Sequence, residues 1–129
     1  MNSRQRASVC VPMSDAQETA LRDILGQVTG KWSMTTLHVL YVHGGPLRFA
    51  RLMEQVVGIT QKMMTQTVRH LERDGLISRE VFAQIPPRVE YQLTPSGAEL
   101  IERFLPFWTW IMDKLPEFEA ARQRYQAEH

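Results

Sequence analysis

The residues best suited to chemistry lie between Thr60 and Arg73, where polar side chains recur at helical spacing. They comprise amides, hydroxyls and cations: Thr60, Gln61, Lys62, Thr65, Gln66, Arg69 and Arg73. Amides and guanidinium groups can hydrogen-bond the base edges of a DNA major groove, and lysine, threonine and arginine also bind phosphate oxygens. The pattern indicates a surface that reads DNA. The alternative is an ordinary solvated helix face.

Different roles follow from the chemistry of these side chains. Gln61 and Gln66 are the candidates for base readout, because an amide can bond adenine at two positions. Thr65 and Arg69 would face the same groove. The candidates for contacts with the phosphate backbone are Thr60, Lys62 and Arg73, with Lys31 and Arg48 from earlier in the chain.

The same segment has the period and the ends of an amphipathic helix. Apolar residues form a stripe opposite the polar face: Ile59, Met63 or Met64, Val68 and Leu71. Thr60 is a suitable N-cap, and Gly75 stands where helices commonly end. We therefore predict a helix from about Gln61 to Asp74.

A second, shorter helix is predicted immediately before it. Its apolar residues have helical spacing: Phe49, Leu52, Met53, Val56 and Val57. Only the turn from Val57 to Thr60, which contains Gly58, separates the two helices. Such a pair, with a polar outer face on the second helix, is typical of a helix-turn-helix, whose second helix enters the major groove.

Two runs of alternating character follow the reading helix, at residues 76–82 and 88–93. The loop between them contains Pro86 and Pro87, which cannot donate to a sheet and fit an exposed tip. The runs therefore predict a β-hairpin, or wing. Arg88 is placed to reach a neighbouring minor groove, where cations are attracted. A solvated loop cation is the alternative for Arg88.

A helix is predicted near each end of the domain that follows residue 13. Ser14 and Gln17 have the form of a capping box that begins a helix closed by Gly30. Thr94 and Pro95 have the form of an N-cap and a first helical residue. We expect the helix after Thr94 to end at Pro116. A last polar helix should then run from about Glu117 to Tyr125.

The C-terminal helix carries more apolar surface than a terminal helix should leave in water. The simplest partner is the same helix of a second copy, together with the first helix, in a two-fold dimer. We assign five residues to this interface: Leu21, Phe104, Trp108, Ile111 and Met112. Two reading helices ~34 Å apart would then address the halves of a palindrome. The alternative is a ligand cavity lined by Trp108, Trp110 and Phe104.

Length and composition indicate one globular domain. The chain has 129 residues, of which 43% are hydrophobic and 22% charged, enough for one core. We expect residues 1–13 to form a flexible arm and residues 14–129 to form the winged helix-turn-helix domain with its terminal dimerisation helices. No apolar run reaches the ~20 residues of a membrane span, and no signal peptide is apparent. A cytoplasmic location without a membrane partner is expected.

Charge and reactive residues exclude several classes of function. The net charge is only +1, so the placement of the cations matters more than their number. The single cysteine, Cys10, excludes an internal disulfide and an all-cysteine metal site. The histidines are scattered, and no phosphate loop or catalytic triad is apparent. We expect no enzyme activity, no metal and no cofactor.

Six strings in a fixed order resemble one family. They are GKW at 30–32, GPLRF at 45–49, GITQKMMTQ at 58–66, LERDGLI at 71–77, PPRVEY at 86–91 and LTPSG at 93–97. From Cys10 to about Lys114 the chain resembles the HxlR-type winged helix-turn-helix regulators of bacteria. The resemblance implies a homodimeric transcription regulator, often a repressor, that binds a palindromic operator and dimerises through its first and last helices.

The resemblance also implies a role for the N-terminal cysteine. In some family members a cysteine at the position of Cys10 senses quinones, electrophiles or oxidants. Members commonly have proline immediately after it, whereas here Val11 intervenes before Pro12.

The sequence thus predicts a DNA-binding transcriptional regulator whose partners are double-stranded DNA and a second copy of itself. A small-molecule effector is left open. The alternative is a winged-helix module that binds a protein and not DNA.

Overall fold

The chain's structure, a computed structural model, describes residues 11–129; residues 1–10 lie outside the described residues, and with them Cys10 and most of the predicted arm. The described part is mainly helical with one small sheet. Its elements are α1 (Asp15–Thr29), α2 (Lys31–His43), β1 (Leu47–Arg48), α3 (Phe49–Gln55), α4 (Gln61–Arg73), β2 (Ile77–Phe82), β3 (Arg88–Leu93) and α5 (Pro95–Glu128). The predicted fold class, mainly α with a β-hairpin wing, is confirmed.

Helix α1 begins as its cap predicts. The Ser14 hydroxyl accepts from the Gln17 backbone N–H at 3.2 Å, and the Gln17 side chain accepts from the Ser14 N–H at 2.9 Å. This reciprocal pair satisfies two of the N–H groups at the helix start. Gly30 then separates α1 from α2, in extended conformation.

The core lies where α2, α3, α4 and α5 meet the sheet. Its fully buried side chains come from five elements and one connecting residue: Thr36, Leu37, Leu40, Leu52, Val56, Met64, Leu71, Ile77 and Ile101. Of the two methionines that could belong to the apolar stripe of α4, Met64 is buried and Met63 is 37% exposed. Burial of this stripe turns the polar face of α4 outward.

The sheet contains three antiparallel strands in the order β1-β3-β2. Strand β3 pairs with β2 along its whole length, from Ile77 opposite Leu93 to Phe82 opposite Arg88. The two residues of β1 pair with the other edge of β3. The hairpin is therefore anchored beside the start of α3, and its loop projects away from the core.

A tight joint connects α4, the wing and α5. Gly75, with φ +72°, ends α4, and Leu76 donates to the Leu71 carbonyl at 2.9 Å, as in a Schellman motif. The Thr94 hydroxyl donates to the Gly75 carbonyl at 2.6 Å and accepts from the Gly97 N–H at 3.1 Å. One threonine thereby caps α5 and holds the end of α4.

Helix α5 corrects one prediction. The helix does not end at Pro116: it continues from Pro95 to Glu128 over 34 residues with Pro106 and Pro116 inside it. No separate helix from Glu117 to Tyr125 exists. An internal proline removes the hydrogen bond to the carbonyl four residues earlier and crowds that carbonyl, which destabilises a helix without always ending it. Both prolines are exposed, so water can reach the carbonyls that lose this bond.

Candidate nucleic-acid interface

Helix α4 has the start and end that were predicted, within one residue. The Thr60 hydroxyl accepts from the Met63 N–H at 3.1 Å and so caps the helix. The helix runs from Gln61 to Arg73, and Asp74 is its C-cap. Together with the left-handed Gly75, these caps set how far the helix extends before the chain enters the wing.

Four side chains dominate the outer face of α4: Gln61, Lys62, Gln66 and Arg69 are all exposed. On the opposite side Met64, Val68 and Leu71 are buried. Among residues 11–129, neither Lys62 nor Arg69 forms an ion pair within 4 Å, and the Gln66 amide forms no hydrogen bond. The donors on this face are therefore available to a ligand.

The two threonines of the candidate site are already engaged. The Thr65 hydroxyl donates to the Gln61 carbonyl at 2.9 Å, and its side chain is partly buried. Thr60 uses an oxygen lone pair to cap the helix. Thr65 thus has no free proton to donate, while Thr60 keeps its own.

Arg73 differs from the other cations of α4. Its Nε lies 3.1 Å from Asp74 Oδ1, and its Nη2 lies 3.8 Å from Asp23 Oδ2 on α1. The hydrogen bond that Arg73 donates to Asp74 raises the pKa of Arg73, and the charges of Asp74 and Asp23 add to this effect. Two acids therefore compensate this arginine, and a phosphate contact by it stays a prediction.

Lys31 and Arg48 lie at the starts of α2 and α3. Lys31 is exposed, with Nζ 4.7 Å from the ring centroid of Trp32. Arg48 is exposed at the end of β1. In the part of the chain that the structure describes, neither side chain has a carboxylate within 4 Å.

The wing places Arg88 differently from a free loop cation. Arg88 is the first residue of β3; its Nε lies 3.2 Å from Glu90 Oε2, and its guanidinium carbon lies 4.1 Å from the ring centroid of Phe82. The exposed tip of the loop is formed by Ile85, Pro86 and Pro87. Arg88 also lines a cleft of about 310 Å³ beside Arg48. Its contact with a minor groove stays a prediction.

Residues that fix the wing against α4 were not among the predicted site residues. Arg79 on β2 donates through Nε to Glu72 on α4 at 3.2 Å. Tyr91 of β3 lies opposite Arg79 and is buried, and this burial raises the pKa of its hydroxyl. The alternation of β2 indicates that Arg79 lies on the inner face of the wing, because it places this cation on the same face as Ile77 and Val81.

A separate apolar surface extends along α1 and α5. Leu21 is 44% exposed, Trp108 49% and Trp110 52%, and Met112 is also exposed, whereas Phe104 and Ile111 are partly buried. The Phe104 and Trp108 rings lie 6.0 Å apart. A groove of about 450 Å³ is lined by Phe104 but by neither Trp108 nor Trp110. This groove is thus not the cavity that the aromatic spacing suggested.

Two other kinds of feature are absent from residues 11–129. No group of three or more histidine, cysteine or acidic side chains is arranged to hold a metal ion there. No helix in that range is both long enough and apolar enough to cross a membrane.

Comparisons with known proteins match the chain to helix-turn-helix regulators. The sequence profile described as HxlR-like helix-turn-helix matches residues 27–119. The uncharacterised HTH-type transcriptional regulator YtfH of Escherichia coli (strain K12) is 35% identical over 112 residues, 87% of each chain.

Two solved structures extend the comparison. The putative transcriptional regulator ytfH from Salmonella typhimurium has a TM-score of 0.66 and 34% identity, covering 80% of this chain and 90% of that one. The redox regulator HypR in its reduced form has a TM-score of 0.64 and 33% identity, and the match covers 83% of this chain and 99% of that one.

Proposed function

The chain belongs to the HxlR-like helix-turn-helix family of transcriptional regulators, and from this premise we propose that it is a repressor that binds a palindromic operator as a homodimer. Helix α4 enters the major groove, and the wing contacts the adjacent DNA. The protein acts in the cytoplasm, where its DNA is found.

The observation that carries the proposal is the free outer face of α4. Lys62 and Arg69 are exposed without a carboxylate within 4 Å in the described part of the chain, beside the exposed amides of Gln61 and Gln66. An uncompensated cation attracts phosphate, and a free amide can bond a base edge. Other arginines around α4, such as Arg73 and Arg79, are paired with acids. The cations left unpaired on α4 are those of the proposed reading face.

The apolar surface of α1 and α5 supports the homodimer. Helix α5 is about 51 Å long, and its buried residues, Gly97 and Ile101, lie in its first two turns. The exposed aromatic side chains farther along α5 are not covered by any other part of the described chain. A second copy related by a two-fold axis would supply it and would present two α4 helices to two half-sites.

The proposal is tested by electrophoretic mobility shift with DNA fragments of the native genome retained by the purified protein. We expect Lys62→Ala and Arg69→Ala each to weaken operator binding by ~1–3 kcal/mol, about fivefold to 150-fold. The matched control is Arg124→Ala, which removes an exposed cation near the far end of α5 and should leave affinity unchanged. Native affinity in both α4 variants would contradict the assigned face.

A second measurement distinguishes a DNA-binding regulator from a winged-helix module that binds only a protein. A titration with random DNA at low salt should show weak binding by the native protein that falls steeply as salt rises, because phosphate contacts release counterions. A winged helix that recognises only a protein would show neither this binding nor operator retention.

Control by oxidation is a hypothesis that rests on the resemblance and on the similarity to a protein named as a redox regulator. A modified Cys10, or a small molecule at the dimer interface, would rotate one α4 relative to the other. Operator affinity of the native protein and of Cys10→Ser is measured before and after quinone or oxidant treatment. Equal responses of the two proteins would remove Cys10 from the mechanism.

A further inference from the structure

The outer face of the wing carries a cluster of charged side chains. Glu90 of β3 lies opposite Arg48 of β1 on one side and opposite Glu80 of β2 on the other. Paired residues of an antiparallel sheet share a face, as do alternate residues of one strand, so Arg88 and Phe82 belong to this face too. Two arginines, two glutamates and one aromatic ring are therefore adjacent.

Within this cluster the Arg88 side chain is restrained in two directions. The Glu90 carboxylate approaches Nε at 3.2 Å, and the Phe82 ring lies beneath the guanidinium at 4.1 Å. The Arg88 and Glu90 side chains are only 29% and 20% exposed. Among the described residues, Nε is the buried side-chain nitrogen without a hydrogen bond of good geometry. The terminal nitrogens are the part that solvent, or a ligand, can reach.

We propose that Glu90 is a positioning residue, which holds Arg88 against Phe82 so that its terminal nitrogens meet DNA beside the wing. The inference rests on the proposed DNA-binding function. A free arginine has several rotatable bonds to fix when it binds, and a restrained one loses less entropy. Arg88 therefore gains binding strength from an acid that by charge alone repels phosphate.

The proposal predicts different effects on DNA affinity for the same substitution at two neighbouring glutamates. Glu80 lies directly opposite Glu90 and is exposed, and among the described ion pairs it has no partner within 4 Å. Glu80→Gln removes one negative charge near DNA, so affinity should rise or stay the same. Glu90→Gln removes the same charge at the adjacent position, but affinity should fall by up to about fivefold, the upper end for a partly exposed ion pair.

Operator dissociation constants are measured by fluorescence anisotropy for the native protein, Glu90→Gln, Glu80→Gln, Arg88→Ala and the double variant Arg88→Ala with Glu90→Gln. We expect Arg88→Ala to weaken binding and Glu90→Gln to cause no further loss in the Arg88→Ala background. Hydroxyl-radical footprints of Glu90→Gln should lose protection where the wing reaches and keep it where α4 lies. A general loss of folding would reduce the protection in both regions.

Phe82→Leu is the second variant, because it removes the ring and keeps an apolar side chain. It should weaken operator binding in the same direction as Glu90→Gln, and thermal unfolding checks that both variants are folded. Equal strengthening by Glu90→Gln and Glu80→Gln would overturn the proposal, as would native affinity in Arg88→Ala. Absence of operator binding by the native protein would instead overturn the proposed function.

Discussion

At the scale of single residues, the cations near α4 fall into two groups. Arg73, Arg79 and Arg88 each lie within 3.2 Å of a carboxylate oxygen, whereas Lys62 and Arg69 have none within 4 Å in residues 11–129. An exposed ion pair contributes little to stability, and its carboxylate offsets the charge that its cation presents to phosphate; at Arg88 the proposed restraint by Glu90 outweighs this loss. The net charge of +1 is thus compatible with a locally positive reading face.

Gln66 and Lys62 allow base readout and phosphate binding to be separated. We expect Gln66→Ala to weaken operator binding by ~1–3 kcal/mol without changing affinity for random DNA, because an amide contact depends on the base. Lys62→Ala should weaken binding to both and lower the salt slope by about 1. Anisotropy titrations at several salt concentrations measure both effects, and Gln126→Ala near the end of α5 is the control. A parallel loss on random DNA for Gln66→Ala would assign it to phosphate.

At the scale of elements, predictability depended on how local the signal was. The helix-turn-helix and the hairpin have short-range signals, such as the Thr60 cap, Gly75 and the double proline, and both were predicted. The pairing of Arg73 with Asp23 and of Arg79 with Glu72 depends on how helices and strands pack, which spacing alone does not give. The continuation of α5 past Pro116 was missed because a local rule was applied to an exposed helix that tolerates a lost hydrogen bond.

The joint between α4 and α5 also depends on close packing. A Cβ atom on Gly97 would lie 2.0 Å from the Leu76 carbonyl oxygen, which is backbone and cannot rotate away. Alanine at this position would have to displace α5 from the start of the wing. The distance between α4 and α5 would then change.

We expect Gly97→Ala to lower the free energy of unfolding by ~1–3 kcal/mol, the usual cost of overpacking. The control is Gly26→Ala in α1, where a Cβ meets nothing within 4 Å and alanine should add ~0.5–1 kcal/mol through its helix propensity. Urea unfolding at one protein concentration measures both variants. A neutral Gly97→Ala would show that α5 can shift without loss of packing.

At the scale of the whole molecule, the proposed function requires two reading faces at a fixed separation. The described chain presents one α4, and a single helix-turn-helix addresses only one half-site. Helices α1 and α5 carry an apolar surface on which Trp108 and Leu21 are exposed. If a second copy covers this surface, the joint at Thr94 and Gly97 transmits its position to α4.

Because Trp108 lies on this exposed surface, it is the most informative position at which to test the proposed dimer interface. Trp108→Glu would place an unpaired carboxylate in the proposed interface, which costs several kcal/mol, so the dimer dissociation constant should rise by ~100-fold or more. The control is Val42→Glu, at an α2 residue that is 70% exposed and outside the proposed interface. Sedimentation equilibrium should find Trp108→Glu monomeric and Val42→Glu dimeric at the same concentration. The monomer should still bind a single half-site weakly, since α4 is unchanged, and it should lose its preference for the palindrome. A Trp108→Glu protein that stays dimeric and keeps native operator affinity would place the interface elsewhere.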